Sequence, residues 1–406
     1  MKIYLVGGAV RDMLLGKTPH DTDYVVFGST PEQMLELGFK RVGKDFPVFL
    51  HPKTNDEYAL ARKEIKTGDK HTDFQFIFGP EITPQEDTQR RDFTCNALMY
   101  DTENKQIIDL VGGVEDIKNR VIRHVNIEHF IEDPLRVLRM CRFAAKLDFE
   151  IAPQTMKLAQ DMVKAGLLNH LTSERIWKEF ETALNTEHFD KFIKTMRECG
   201  ALKVIMPEVN KLWDMPERLD YHPEGNSGEH TILVLKQGYN LSPKIKFALL
   251  LHDVGKISTP FDILPQHIGH DKAAAPLIGK ICDRIKAPKL YRDFALLVAK
   301  NHMKFHDVLK MRNHKFAAFL EELTDNYRDP KQMIDFMRAC KCDAFGRGNN
   351  DTNKDNEEIF AAARKCLNNY RIQHNLKAYD MPNFDKMPKD KAFKQKLLEF
   401  RAKHIC

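Results

Sequence analysis

No two cysteines stand at C-x-x-C spacing: the eight thiols, Cys95, Cys141, Cys199, Cys282, Cys340, Cys342, Cys366 and Cys406, are scattered, mostly among apolar or helix-forming neighbours. A structural zinc site of that pattern is therefore not expected, and a reducing compartment is. Long apolar runs are missing as well. Mean hydropathy is −0.47, and the apolar stretch in MKIYLVGGAV is too short for a signal peptide or a membrane span. The expectation is a cytoplasmic chain with no membrane partner. No segment repeats at a fixed period. Strong charge imbalance is also lacking: 63 Lys and Arg face 58 Asp and Glu, a net charge of +5 that permits an anionic partner without requiring one.

At 406 residues the chain has room for two to four domains of roughly 100–200 residues each. Short apolar runs punctuated by Gly, Pro, Asn and Asp mark strands at 3–6, 23–27, 47–51, 73–78, 97–101 and 106–111, which fit one α+β unit. From about Glu132 the apolar period turns helical, as in DPLRVLRMCRFAAKL and KIKFALLLHDVGK, and the remainder is expected to be all helix. LDYHPEGNSGEH at 219–230 is the best linker candidate, and 346–357 reads as a polar loop. The expected segments are 1–125, 126–222, 225–330 and 331–406. Residues 381–406 hold seven Lys or Arg against three acidic residues, either a solvated helix end or a surface for a nucleic-acid backbone.

Gly7 and Gly8 follow a strand signal and precede the helical pattern of AVRDMLL. Glycines there allow a tight turn and bring amide N–H groups close to a ligand, which favours phosphate. Asp21 and Asp23 straddle Thr22 at the start of the next strand. Side chains alternate across a strand, so both carboxylates are expected on one face, where hard oxygen ligands suit Mg²⁺ and triphosphate oxygens. GGAVRDMLLGKTPHDTD at 7–23 resembles the signature of the class II tRNA nucleotidyltransferases, the bacterial CCA-adding enzymes of the polymerase-β-like superfamily. That resemblance implies a small mixed-sheet nucleotidyltransferase head followed by an all-α neck and body. It further implies that Gly8 and Arg11 hold the triphosphate, that Asp21 and Asp23 hold catalytic Mg²⁺, and that CTP, ATP and tRNA are the substrates.

RRDFTCNAL at 90–98 places Arg91 and Asp92 before a strand; a guanidinium pairs with phosphate and a carboxylate accepts from ribose hydroxyls. The block is similar to the ribose-selecting motif of the same enzymes. In EDPLRVLR, Asp133, Arg136 and Arg139 are spaced three apart, which on a helix sets them on one face. An Asp acceptor with an Arg donor matches the pairing edges of both C and A, and leaves U or G with unpaired groups costing on the order of 1–3 kcal/mol each. Equally by spacing, Asp133 before Pro134 is a helix N-cap. The resemblance to the base-reading motif of the CCA-adding enzymes selects the first role, with Arg139 as a further nucleotide-binding residue. LTSERIWKEFETAL at 171–184 resembles the supporting neck helix, whose own residues are expected to be mainly structural.

Further along, His230, the pair His252-Asp253, His270 and His302 form an ordered set of metal-capable side chains. EHTILVL, LLLHDVGK, GHDKAAAPL and NH together resemble an HD domain, a metal-dependent phosphohydrolase fold. Its fusion to a CCA-adding core implies a second activity on 2′-phosphates and 2′,3′-cyclic phosphates (2′-phosphatase, 2′-nucleotidase and cyclic phosphodiesterase), with Ni²⁺ or another divalent transition metal. The distal aspartate of such a domain is read here as Asp307, in FHDVL. Two other readings share these motifs: a poly(A) polymerase, disfavoured by the intact HD segment, and an HD phosphohydrolase with an inactive head. A monomer and a homodimer are both compatible with the sequence.

Overall fold

The computed structural model describes residues 1–19, 22–42, 48–66, 74–347, 353–376, 381 and 391–405. Two adjacent strands, β1 (Lys2–Val6) and β2 (Asp23–Phe27), each run from an exposed first residue into three consecutive buried ones. Such a run needs cover on both faces of a sheet. Val25 and Phe27 point into one apolar cluster with Tyr4, Val6, Ala61, Ile82 and Met99. Val26, pointing the other way, joins Met34, Phe39, Phe49 and Leu60.

Seven strands make this sheet. With β3 (Lys40–Arg41), β4 (Val48–Leu50), β5 (Glu57–Leu60), β6 (Arg62–Lys66), β7 (Phe74–Phe78), β8 (Met99–Asp101) and β9 (Gln106–Ile108), its order is β3-β4-β5-β2-β1-β8-β9. The β2–β5 pairing is parallel and the other pairings are antiparallel, so the expected mixed sheet is present. Among the described residues, strands β6 and β7 pair only with each other. The sequence signals missed β3, β5 and β6: KR, EYAL and RKEIK are too charged or too short for an apolar-run criterion.

Past Glu132 the regular structure among the described residues is helical except for one short strand. The helix Leu135–Leu147 stops where Asp148 takes φ 54°, and β11 (Glu150–Ile151) then pairs in parallel with β10 (Val121–Ile122). A two-residue pairing carries no periodic signal. Two compact units emerge, Met1–Arg175 with Glu198–Ala201, and Ile176–Arg197 with Leu202–Cys406.

Inside the second unit the helix Pro243–Leu251 is buried on every side from Ile245 to Leu251, as the unbroken apolar run Phe247–Leu251 requires, and the buried Lys246 donates to the Thr186 carbonyl. It packs against the helices Lys289–His306 and Pro330–Phe345, while Trp177 meets Phe247 and Tyr291 edge-on. Of the polar stretch 346–357, residues 348–352 lie outside the described residues and Asn353 already opens the helix Asn353–Asn375. In the basic terminal stretch the helix Lys391–Ala402 packs on Asn313–Leu323, where Arg401 pairs with Glu321 and covers the Tyr327 ring. No described helix is long and apolar enough to cross a membrane.

Candidate active sites

Gly7 closes β1 with φ 67°, a left-handed conformation that a side chain would strain, and hands the chain to the helix Gly8–Leu14. Both glycines line a cavity of about 490 Å³ whose charged wall is eight arginines and Lys146 against two carboxylates, Asp92 and Asp133. Much of that wall is one helix stripe: Arg136, Arg139, Arg142 and Lys146 recur at three- and four-residue spacing on Leu135–Leu147, with Phe143 under the guanidinium of Arg142. A surface so cationic and concave fits a polyphosphate.

Each side chain in it is held. Arg11, only 2% exposed, donates from Nε and Nη2 to Asp12 Oδ1 (2.9 and 2.8 Å) and from Nη1 to Asn96 Oδ1 (2.5 Å). Asp92 accepts from the Phe93 amide (2.8 Å) and Asn96 Nδ2 (3.3 Å) on one oxygen, and from Arg139 Nε and Nη2 (2.9 and 2.5 Å) on the other. Burial alone raises that carboxyl; Arg139 outweighs it, with Arg136 adding to the effect, and holds Asp92 below the usual range.

Asp87, which no sequence signal marked, anchors the two arginines before Asp92. Its Oδ1 accepts from Arg90 (3.0 and 2.6 Å) and its Oδ2 from Arg91 (3.3 and 3.0 Å). Burial opposes ionisation, yet the two guanidiniums bring the carboxyl from 3.8 down to about 2. A depressed folded-state value stabilises the fold above the unfolded pKa, and that stabilisation is lost as pH falls from near 4 through about 2. Asp87→Asn is expected to destabilise the protein by roughly 3 kcal/mol at neutral pH by leaving two half-buried arginines without their buried counter-charge. Denaturant titrations should show the gap from the parent closing between pH 4 and pH 2; a gap constant with pH would mean that the carboxylate charge is not what stabilises.

Asp133 does not share a helix face with Arg136. It stands in extended conformation between the helices Ile127–Glu132 and Leu135–Leu147. One carboxylate oxygen accepts from the Leu135 amide (3.1 Å), the capping contact, while the other accepts from Arg175 Nη2 (2.7 Å) in the cavity wall. Cap and cavity roles thus coexist on one side chain. Arg136 is placed by the carbonyls of His129 (2.7 Å) and Arg90 (2.6 Å). The neck-helix block therefore contributes Arg175 directly, where mainly structural residues were expected. Asn96, Arg142 and Lys146 were missed too, although the three-residue recurrence on the Leu135 helix was there to read. Asp23 is the exposed first residue of β2, paired in register with Val6 beside the glycine turn. Asp21 lies outside the described residues.

The second site gathers four histidines and two aspartates from five segments: His230, His252, Asp253, His270, His302 and Asp343, all buried. Their ligand atoms form two trios, His230/His252/Asp343 and Asp253/His270/His302. Asp343, on the helix Pro330–Phe345, accepts from His230 Nε2 at 3.1 Å and lies 3.6 Å from His252 Nε2 and 3.4 Å from His306 Nε2. Asp307 is exposed at the end of the helix Lys289–His306 and lines no part of this cavity; the aspartate that joins the histidines beside Asp253 is Asp343. Segment 331–406 carried no recognisable motif, which is why Asp343 was passed over.

Proton placement follows from the backbone. His252 Nδ1 faces the Leu249 carbonyl (2.7 Å), His270 Nδ1 that of His267 (2.7 Å), and His302 Nδ1 that of Ala299 (3.0 Å). Carbonyls only accept, so these Nδ1 atoms carry the protons and, in the neutral rings, Nε2 presents a lone pair inward. His270 and His302 Nε2 then lie 3.3 Å apart, each 3.5 Å from Asp253 Oδ1. His252 Nε2 is buried without a hydrogen bond, its 3.2 Å approach to Asp253 lacking hydrogen-bond geometry. In the Asp253/His270/His302 trio two lone pairs and a carboxylate oxygen converge with no proton among them, which a bound cation relieves, and the imidazole-carboxylate set suits a divalent transition metal. Gly255 permits the assembly: a Cβ there would fall 1.9 Å from the His270 carbonyl. Lys256 Nζ bridges Asp253 (2.8 Å) and Glu217 (2.6 Å).

Residues 3–123 match the family described as "Poly A polymerase head domain", and 148–212 that described as "Probable RNA and SrmB- binding site of polymerase A". The multifunctional CCA protein of Acinetobacter baumannii (strain AYE) is 44% identical over 387 residues, 94% of this chain and 92% of that protein. Its namesake from Burkholderia ambifaria (strain MC40-6) is 45% identical over 362 residues, 87% of each. Among solved structures, the Bacillus stearothermophilus CCA-adding enzyme in complex with CTP superposes with a TM-score of 0.65 at 21% identity, over 99% of this chain and 88% of that one. The Thermotoga maritima CCA-adding enzyme complexed with tRNA does so at 0.63 and 20%, over 99% and 87%.

Proposed function

The chain belongs to the multifunctional CCA protein family, and from that premise we propose the chemistry of its two sites. The enzyme adds C, C and A in turn to the 3′ end of tRNA. The terminal ribose hydroxyl attacks the α-phosphate of CTP or ATP in line, a new P–O bond forms, and pyrophosphate leaves. The observation that carries this reading is the cavity in which a glycine turn, eight arginines and Lys146 surround Asp92 and Asp133. Gly8, Arg11 and Arg91 hold the triphosphate, Asp92 with Arg139 meets the ribose, and Asp21 and Asp23 hold Mg²⁺. A divalent cation held by Asp21 and Asp23 would supply Lewis-acid activation of the attacking hydroxyl and charge stabilisation for the leaving pyrophosphate.

Base choice needs no template strand. Asp133 accepts from the exocyclic amine of C or A, and Arg136, placed by two backbone carbonyls, donates to the neighbouring ring nitrogen. The test uses a tRNA ending at the discriminator nucleotide, with CTP and ATP supplied separately and together. CTP alone should extend it by two residues, and both nucleotides by three. A long tail from ATP alone would instead favour the poly(A) polymerase reading, which the head-domain match keeps relevant. Asp133→Ala should let U and G in at rates within about tenfold of C and A; intact selectivity would confine Asp133 to its capping contact.

In the second site His230, His252, Asp253, His270, His302 and Asp343 hold a divalent transition metal, Ni²⁺ by the family resemblance. The metal supplies Lewis-acid activation of water for hydrolysis of 2′-phosphates and 2′,3′-cyclic phosphates. These residues orient it: the carbonyl-bound Nδ1 atoms fix each ring, and Lys256 neutralises the buried carboxylates of Asp253 and Glu217. A cytoplasmic location completes the reading.

A further inference from the structure

The cavity above the histidine cluster is about 480 Å³, the size of a pocket for a small organic ligand and far more than a phosphate group fills. Its floor is polar: metal-capable side chains and Lys256. Its rim is not. Tyr221, Ile268 and Met303 line the same cavity and are 56%, 76% and 47% exposed, respectively. Large apolar side chains left open at the mouth of a charged site call for a flat apolar group on the ligand.

Tyr221 is also braced. The Arg218 guanidinium lies 4.8 Å from the ring centroid and is itself held by Asp220 (2.6 and 3.2 Å). The guanidinium covers one face of the ring and limits its motion, and more than half of the side chain stays open to solvent. A fixed, exposed aromatic face beside a phosphate site is how proteins bind unpaired bases, by stacking.

Building on the phosphohydrolase reading, we propose that Tyr221 is a base-stacking platform, with Ile268 and Met303 completing the rim. On this view the second site takes nucleoside phosphates, such as the exposed end of an RNA, in preference to phosphate esters without a base. Tyr221 acts on specificity and not on the chemical step.

The test uses the full-length, metal-loaded enzyme with 2′-AMP and glycerol 2-phosphate, two phosphomonoesters of secondary hydroxyls of which only the first carries a nucleoside. In Tyr221→Ala the ratio of kcat/KM for 2′-AMP to that for glycerol 2-phosphate should fall on the order of tenfold, through KM for 2′-AMP with kcat within about twofold. Tyr221→Trp should restore the ratio, since any aromatic face can stack. A ratio that stays within about twofold of the parent, or a loss shared by both esters, overturns the proposal. If the parent hydrolyses neither ester, the phosphohydrolase reading falls by itself. The platform is then judged by equilibrium binding: weaker 2′-AMP affinity in Tyr221→Ala, restored in Tyr221→Trp, upholds it, and unchanged affinity removes it.

Discussion

Asp23→Ala is expected to lower nucleotide addition to a tRNA lacking CCA by roughly a thousandfold, the scale of losing preorganised stabilisation of transition-state charge. The same loss is expected of Asp21→Ala. Asp23 opens a strand with its side chain exposed, so its replacement should leave the fold within about 0.5 kcal/mol of the parent. Hydrolysis of 2′,3′-cyclic nucleotides should persist, because the second site belongs to a different compact unit. Incorporation of labelled nucleotide and cyclic-phosphate hydrolysis, measured on one preparation, decide the matter. Addition that continues at the parent rate would remove both carboxylates from catalysis and return the head to a binding role.

Asp343→Asn carries the second large effect, at least a hundredfold loss of phosphohydrolase activity with nucleotide addition retained. The substitution keeps the side-chain volume but removes the charge beside His230 (3.1 Å) and His252 (3.6 Å). Outer partners of metal ligands alone typically alter affinity or activity by roughly 10–100-fold; a direct carboxylate donor should matter more. Metal content of the purified variant, determined by elemental analysis, should drop in parallel, and a chelator should reproduce the loss in the parent. Asp307→Asn serves as the counterpart, because Asp307 is outside the cavity. If Asp307→Asn abolishes hydrolysis and Asp343→Asn does not, the ligand set drawn here is wrong.

Most of the head was legible residue by residue. The apolar runs around Leu5 and Val25 became β1 and β2, and the Gly7-Gly8 turn joins strand to helix as its spacing requires. Charged strands were not legible. Glu57–Leu60 pairs in parallel with β2 at the centre of the sheet, yet its sequence lacks an apolar run because Glu57 and Tyr58 leave it only partly buried. Asp133 shows a different limit. Its spacing from Arg136 suggested one helix face, whereas Pro134 follows it at a break between two helices and Asp133 is left in extended conformation.

Local chemistry was determined by sequence alone: the glycine turn, the RRD block, the proline-flanked aspartate and the adjacent His-Asp pair, because covalent geometry sets the spacing of near neighbours. Tertiary structure alone decided that Arg175 reaches Asp133 and that Asp343 and Tyr221 join the histidine cavity. These partners meet across long stretches of chain because apolar helix and sheet faces pack together. Packing of that kind is satisfied by burial and shape, and it leaves no local pattern around the polar residue it delivers.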